Sequence, residues 1–254
     1  MGRVATIAMN TFRESLRDRI LYNLLFFALL LMGFSVLLGD FTIAEQKKIV
    51  TDLGLAAINI VGVAIAIFVG IGLVSKEIER RTIYTLMARP ISRAQFILGK
   101  YLGLALTLLV NLGIMLFLFL ATLLMDRVPI QAALFQAVQL IYVELLLVTA
   151  IALFFSTFSS TAVSAMMTLG LYVIGHLTAD LKAIAVKSSS ELVKTVMTGL
   201  YYVCPNLEAL NIKGLAAQGA GVPLSYQVLA SAYGMAYAAV LITAACAVFS
   251  RRDF

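Results

Sequence analysis

The sequence predicts an all-α membrane protein, and three observations support this prediction. Of the 254 residues, 62% are hydrophobic and only 13% are charged, whereas soluble domains carry about 45–50% apolar and about 25% charged residues. A water-soluble fold cannot hide so much apolar surface. The apolar residues also form long continuous runs rather than short alternating strands, which favours spanning helices.

Six segments have the length and composition of a spanning helix, which needs about 20 predominantly apolar residues. They cover residues 21–39, 53–74, 101–125, 132–155, 161–179 and 226–249. The first run follows a charged stretch and is long enough to remain as a span, so no cleavable signal peptide is predicted. Without a linker or an internal repeat, residues 1–254 are interpreted as a single transmembrane domain.

The distribution of Lys and Arg predicts the orientation of these six spans. The side that would hold both termini and the 75–100 loop carries twelve of these residues, and the opposite side carries seven. Basic residues collect on the cytoplasmic side of membrane proteins. Both termini are therefore predicted in the cytoplasm and residues 180–225 outside. The same bias explains the net charge of +6, so no nucleic-acid partner is expected.

An interfacial amphipathic helix is predicted for the stretch before the first span, within residues 1–20. One apolar stripe recurs every four residues, at Val4, Ala8, Phe12, Leu16 and Ile20, while arginines occupy other faces. This pattern is typical of a helix that lies in the membrane interface. A plain positively charged leader is the alternative interpretation.

Residues 180–225 form the longest segment between spans, and a structureless loop of that length is improbable in a compact protein. Ser190 can cap a helix, apolar residues at helical spacing follow it, and Pro205 ends the pattern. We expect an extracytoplasmic segment of helical hairpins on or in the outer leaflet. An ordinary surface helix is the alternative.

The 75–100 loop is the most charged stretch of the chain. Its residues Ile83, Leu86 and Met87 form an apolar patch between charged faces, and Pro90 breaks the helix that they predict. Ser92 and Gln95 resemble a capping box that begins the next helix. Such an element could transmit a push from a soluble partner into two spans, although an ordinary positively charged loop has the same composition.

The sequence gives little support for enzymatic chemistry. It has no GxxxxGK[ST] phosphate loop, so the chain is not expected to hydrolyse ATP or to hold a cofactor. The one His and the two distant Cys predict no metal site. General acid–base chemistry usually needs two placed titratable groups, and the spans offer only Glu144 and His176.

Glu144 and His176 are nevertheless the candidate residues within the spans. Because an ionisable group in mid-span is costly, Glu144 is expected either to face a translocation path or to tie its helix to a neighbour by a hydrogen bond. His176 lies near the outer end of the fifth span, close to Asp180, and we expect it to bond at headgroup level. Gly99 and Gly103 form a GxxxG pattern that allows close helix packing.

The 75–100 stretch resembles the signature of ABC-2 type transporter permeases, the membrane subunits of ABC exporters. That signature has Glu-x-Glu-x-Gly-Thr, a Leu four residues later, Pro-x-Ser-Arg, and a Gly-Lys that opens the third span. The matching residues are Glu77, Glu79, Thr82, Leu86, Pro90, Ser92, Arg93, Gly99 and Lys100, with Arg81 where the family commonly has Gly. Residues 202–211 and 249–254 are also similar to the family's outer segment and C-terminus.

The resemblance implies a permease with an N-terminal amphipathic helix and a cytoplasmic coupling helix between spans two and three. It also implies a second permease, as a homodimer or heterodimer, and separate ATPase subunits that bind ATP and Mg²⁺. The expected location is the cell (inner) membrane, and the expected activity is export of an unidentified cargo. The residues expected to couple to the ATPase are Glu77, Glu79, Arg81, Thr82, Ile83, Leu86, Met87, Arg89, Pro90 and Arg93.

Two other interpretations remain open from the sequence. A membrane scaffold or assembly factor would have the same topology but would not stimulate an ATPase. An intramembrane enzyme would have to rely on Glu144 and His176, and the scarcity of other titratable groups in the spans argues against it.

Overall fold

The computed structural model describes residues 2–40, 46–79, 92–188 and 190–250, and all regular elements among them are helices. The sequence prediction of an all-α fold is thus confirmed. The helices are α1 (Arg3–Leu16), α2 (Arg19–Asp40), α3 (Gln46–Glu79), α4 (Arg93–Met125), α5 (Ala132–Ser156), α6 (Thr161–His176), α7 (Thr178–Lys187), α8 (Glu191–Val203), a 3-10 turn (Glu208–Leu210), α9 (Lys213–Ala217) and α10 (Leu224–Ser250).

Four of the described helices, α3, α4, α5 and α10, are long and apolar enough to cross a membrane by length and composition. The pair α6 and α7 gives a fifth candidate, although it is bent by 70°. The first predicted run lies on α2, a helix of 22 residues. By this criterion the described residues show four or five spans, where the sequence predicted six.

Several helix boundaries differ from the predicted span boundaries, and α3, for example, begins at Gln46 instead of residue 53. Helix α3 extends to Glu79 and so includes the first residues of the predicted 75–100 loop. Helix α6 ends at His176, three residues before the predicted end of the fifth span, and α7 begins at Thr178. The apolar pattern continues through this break, so hydropathy alone could not locate the bend.

Helix α5 is the centre of the bundle, because it packs against α3, α4, α6 and α10. Most of its side chains are buried, as expected for a helix that is hydrophobic on all sides. The surrounding helices expose large apolar side chains instead, among them Phe26, Phe117 and Leu229 at 62%, 71% and 70% exposure. An apolar exterior of this extent matches a surface covered by lipid.

The N-terminal amphipathic helix is shorter than the sequence predicted. Helix α1 ends at Leu16, and Ile20 lies on α2 instead of continuing the predicted stripe. Side chains fix this break: Asp18 Oδ1 accepts from the Ile20 backbone N–H at 3.0 Å, and the Tyr22 hydroxyl donates to the Leu16 carbonyl oxygen at 2.7 Å. Such bonds satisfy backbone groups that a helix end leaves without partners.

The segment between α6 and α10 is helical in part, and α8 falls where the apolar spacing and Pro205 predicted a helix. It packs against α7 as a hairpin. The following residues return to the bundle, where Leu207 and Leu210 are fully buried. The Leu207 N–H donates to the Gly175 carbonyl oxygen at 3.0 Å, so this segment is attached to the end of α6.

Candidate functional site

The capping box predicted at the start of α4 is present. The Gln95 N–H donates to Ser92 Oγ, and the Ser92 N–H donates to Gln95 Oε1, both at 3.2 Å. Two N–H groups at the helix start are thereby satisfied. The beginning of α4, directly after the 80–91 stretch, is therefore well defined.

Arg93 joins this helix start to the end of α10. Its Nη1 donates to the carbonyl oxygens of Phe249 at 3.0 Å and Ser250 at 3.1 Å. The ring of Phe96 stacks on that of Phe249, with 5.8 Å between centroids. The last carbonyl groups of a helix lack partners within it and carry partial negative charge, so a guanidinium is a suitable ligand for them.

Lys100 is the third connection at this end of the bundle. Its side chain is only 2% exposed, and its Nζ lies 3.6 Å from Glu14 Oε2 on α1 and 5.7 Å from the centroid of Phe96. Burial of a charge is costly unless the charge is paired. Lys100 therefore ties α1 to α4 beside the contact between α4 and α10.

The GxxxG pattern on α4 is the place where α1 comes closest. A Cβ atom added at Gly99 would lie 2.6 Å from Ile7 side-chain atoms, and one added at Gly103 would lie 2.6 Å from the Ala8 carbonyl oxygen. Small residues permit this approach of two backbones. We call the contact among Glu14, Arg93, Phe96, Lys100 and Phe249, together with the two glycines, the α1/α4/α10 junction.

Most of the predicted coupling residues cannot be placed on this junction. Arg93 belongs to it, and Glu77 and Glu79 are on the last turn of α3, with side chains outside the described part. The others lie outside the described residues altogether, namely Arg81, Thr82, Ile83, Leu86, Met87, Arg89 and Pro90. Their role in coupling stays a prediction.

A buried polar network lies among α3, α5 and α6. Glu144 on α5 is 0% exposed, and its Oε2 accepts from Asn59 Nδ2 on α3 at 3.0 Å. The Tyr172 hydroxyl on α6 donates to Asn59 Oδ1 at 2.9 Å. Three helices are thus joined by polar side chains within an apolar bundle, where unsatisfied polar groups are expensive.

His176 completes this network, one turn beyond Tyr172 on α6. Its Nε2 lies 3.5 Å from Glu144 Oε1, its Nδ1 lies 3.1 Å from the Tyr172 carbonyl oxygen, and the two rings are 4.6 Å apart. The sequence suggested a headgroup-level bond near Asp180, and the structure directs the ring towards Glu144 instead. The two candidates named within the spans are therefore neighbours.

Asn59 and Tyr172 were not among the predicted site residues. Asn59 carries no titratable group, and in the sequence Tyr172 resembles the other aromatic residues of its span. The available signal was the amide of Asn59 in an otherwise apolar run, since such an amide requires a partner in the bundle.

Two charged residues from the segment after α8 act on the network. Lys213, at the start of α9, is within electrostatic range of Glu144, and Glu208 is within range of Tyr172. Within the described ranges no three His, Cys, Asp or Glu side chains lie close enough together to hold a metal ion. The described contacts of the network are the hydrogen bonds among Asn59, Glu144 and Tyr172 and the pairing of Glu144 with His176.

The helix bundle, its apolar exterior and its buried charges define a multi-pass membrane protein. The sequence model of a family described as ABC-2 family transporter protein matches residues 5–254. The chain belongs to this family, whose members are membrane subunits that typically pair with an ATP-binding cassette ATPase. A comparison with curated proteins found no match.

Proposed function

We propose that the chain is the permease subunit of an ABC exporter and moves its cargo with ATP that a separate ATPase subunit hydrolyses. Membership of the ABC-2 family supports the permease role. The single structural observation that carries the coupling proposal is the α1/α4/α10 junction. It links three helices at the point where α4 leaves the 80–91 stretch.

The junction provides a mechanical route from the loop into the bundle. A displacement of the chain before Ser92 reaches Arg93 first, and Arg93 bonds the last carbonyl groups of α10. The ion pair between Lys100 and Glu14 then moves α1 together with α4. Packed helices respond to such a push by small shifts between alternative arrangements rather than by continuous deformation.

The proposed topology has six spans, with α2 and the α6–α7 pair joining the four helices that meet the length and composition criterion. The bias of Lys and Arg supports cytoplasmic termini. In this orientation the junction faces the ATPase, and the Glu144 network lies towards the outer surface. A second permease, identical or related, would complete the transporter in the cell membrane.

The test concerns the apolar patch of the predicted coupling helix. An amphipathic helix inserts its apolar side chains into a groove of its partner, and each fully buried anchor contributes about 1.5–3 kcal/mol. The variant Leu86→Ala/Met87→Ala is expected to insert and fold normally but to lose association with the ATPase. The measurements are a pull-down and ATP turnover by the reconstituted complex.

The matched control is Leu124→Ala/Met125→Ala, which removes the same two side-chain types at the opposite end of α4, where both are exposed. This control should associate with the ATPase as the wild type does. Undiminished association and turnover in the folded Leu86/Met87 variant would contradict the proposed coupling element. A wild-type chain that never stimulates an ATPase would support the scaffold interpretation instead.

A further inference from the structure

When Glu144 is ionised and His176 is neutral, two facing atoms of the Glu144 network have no hydrogen between them. A backbone carbonyl oxygen can only accept, so His176 Nδ1, 3.1 Å from the Tyr172 carbonyl oxygen, has to carry the ring hydrogen. In a neutral imidazole the other nitrogen then presents a lone pair. That nitrogen, Nε2, faces Glu144 Oε1 at 3.5 Å, so two acceptors point at each other.

Every other polar atom that forms the network has a partner. Glu144 Oε2 accepts from Asn59, Asn59 Oδ1 accepts from Tyr172, and the Tyr172 hydroxyl has only one hydrogen to donate. Within this network, the two buried atoms left without a hydrogen-bond partner are Glu144 Oε1 and His176 Nε2. If Tyr172 donated to the carboxylate instead, Asn59 Oδ1 would lose its donor. The network would still contain one acceptor too many for its hydrogens.

We propose that Glu144 and His176 form a proton-binding site, in which one proton held between Oε1 and Nε2 ties α6 to α5. The proton converts two opposed acceptors into one hydrogen bond, and this bond is charge-assisted when the proton is on Nε2 and the carboxylate is ionised. It comes from water and returns to water, and no other bond changes. The site lies in an otherwise apolar bundle, where such a bond is strong and its loss is costly.

The position of the site determines what the proton controls. His176 is the last residue of α6, and the chain bends by 70° between α6 and α7 directly after it. The side chain of His176 is 20% exposed, while its Nε2 and Glu144 Oε1 are buried, so exchange of the proton with water requires a local opening at the end of α6. Loss of the proton removes the favourable contact between α5 and the end of α6, next to Gly175, where Leu207 is attached.

Other charged groups near the site set its electrostatic surroundings. Lys213 on α9 acts on Glu144 and Glu208 acts on Tyr172, while α3 contributes the uncharged Asn59. The proposal does not depend on ATP coupling and can be tested on the purified permease alone.

The first test uses the fact that His176 is the only histidine of the chain. Protein labelled with ¹⁵N-histidine gives one imidazole, whose two nitrogen resonances report which nitrogen carries hydrogen. We expect Nδ1 to carry hydrogen at all pH values. The Nε2 resonance should show a hydrogen-bonded nitrogen at low pH and an unprotonated nitrogen without a hydrogen bond at high pH. A spectrum in which Nε2 carries the hydrogen of the neutral ring, or one unchanged in Glu144→Leu, would overturn the proposal.

The second test compares variants that supply or remove the missing hydrogen. In Glu144→Gln the amide oxygen can still accept from Asn59 while the amide NH₂ donates to Nε2, so the tie needs no proton. In Glu144→Leu no donor or acceptor remains, and in His176→Phe the ring against Tyr172 is kept without its nitrogens. Glu144→Leu and His176→Phe therefore remove the hydrogen bond between α5 and α6 in different ways, and Glu144→Gln keeps it without a bound proton.

The readout is the melting temperature of the purified protein across pH 6–9. A proton bound by the folded pair stabilises the protein at low pH, and the stabilisation is lost as the pH rises and the proton leaves. The wild type should therefore melt lower at pH 9 than Glu144→Gln by at least about 2 °C, and this difference should disappear as the pH is lowered. Parallel curves for the two proteins, or Glu144→Gln as unstable as Glu144→Leu throughout, would overturn the proposal.

Discussion

The guanidinium of Arg93 donates a 3.0 Å hydrogen bond to the carbonyl oxygen of Phe249, a residue 156 positions later in the chain. This bond joins the first residue of α4 to the final turn of α10. Proteins commonly place basic groups at helix C-termini, where the helix dipole favours them. Here the basic group comes from another helix, so the contact also fixes the relative position of α4 and α10.

Replacing Arg93 by Ala should therefore uncouple these two helices. Hydrogen bonds from a charged donor contribute about 1.5–3 kcal/mol. Because this one is partly exposed, we expect Arg93→Ala to fold and to lose free energy of unfolding at the lower end of that range. ATP turnover by the reconstituted complex should fall while association with the ATPase remains. Arg93→Lys, which keeps the charge, should retain part of the turnover, and equal turnover in Arg93→Ala and wild type would exclude this route.

The close approach of α1 to α4 gives the second prediction. Gly103→Ala would place a Cβ atom 2.6 Å from the Ala8 carbonyl oxygen, and a backbone atom cannot move aside without shifting α1. We expect α1 to separate from α4, with faster hydrogen exchange in Arg3–Leu16 and a lower melting temperature.

Gly113→Ala is the matched control on the same helix, because nothing lies within 4 Å of the added Cβ atom. Alanine is favoured over glycine in a helix interior by about 0.5–1 kcal/mol, so this variant should be as stable as the wild type or slightly more stable. Equal rates of hydrogen exchange in α1 of the two variants would show that the contact between Gly103 and Ala8 does not hold α1 on α4.

The orientation of the chain gives the third prediction. In a background with Cys204 and Cys246 replaced by Ala, single cysteines at the exposed positions Ala94 and Ser190 should react with a membrane-impermeant reagent from opposite sides. Ala94→Cys should be labelled only from the cytoplasm and Ser190→Cys only from outside, as the bias of Lys and Arg indicates. Labelling of both from one side would rule out the six-span topology.

The helices were predictable because their signals are local. Apolar runs located α3, α4, α5 and α10, the Ser92–Gln95 spacing located a helix start, and Pro205 marked the end of α8. The break between α6 and α7 was missed because Leu177 continues the apolar run. The break at Arg17 and Asp18 was missed because the apolar stripe continues to Ile20, although Asp18, which accepts from the Ile20 N–H, was an available local signal.

The sites were less predictable because they depend on contacts between distant residues. Glu144 could be singled out as a costly charge in mid-span, but its partner Asn59 is 85 residues earlier in the chain. Likewise, the GxxxG pattern at Gly99 indicated close packing without indicating α1 as the partner. Sequence patterns identify residues that need a partner, and the fold determines which partner they find.

Cys204 gives the last prediction, because it reports on the attachment of the outer segment. It follows α8 directly, its side chain is buried, and burial raises the pKa of its thiol. Thiol reagents attack the thiolate. In a background with Cys246 replaced by Ala, the labelling rate of Cys204 should still be rising with pH above about 8.5, where an ordinary thiol is half ionised.

Leu207→Ala should make this thiol much more reactive. Leu207 is fully buried and lies against Gly175 at the end of α6, and truncating a buried Leu to Ala costs about 2–5 kcal/mol. Since 1.4 kcal/mol corresponds to a factor of ten, the segment should detach more often and Cys204 should be labelled at least about tenfold faster. Leu192→Ala on α8, where the side chain is 72% exposed, is the control and should leave the rate unchanged. Equal rates in the two variants would show that Leu207 does not hold the segment on the bundle.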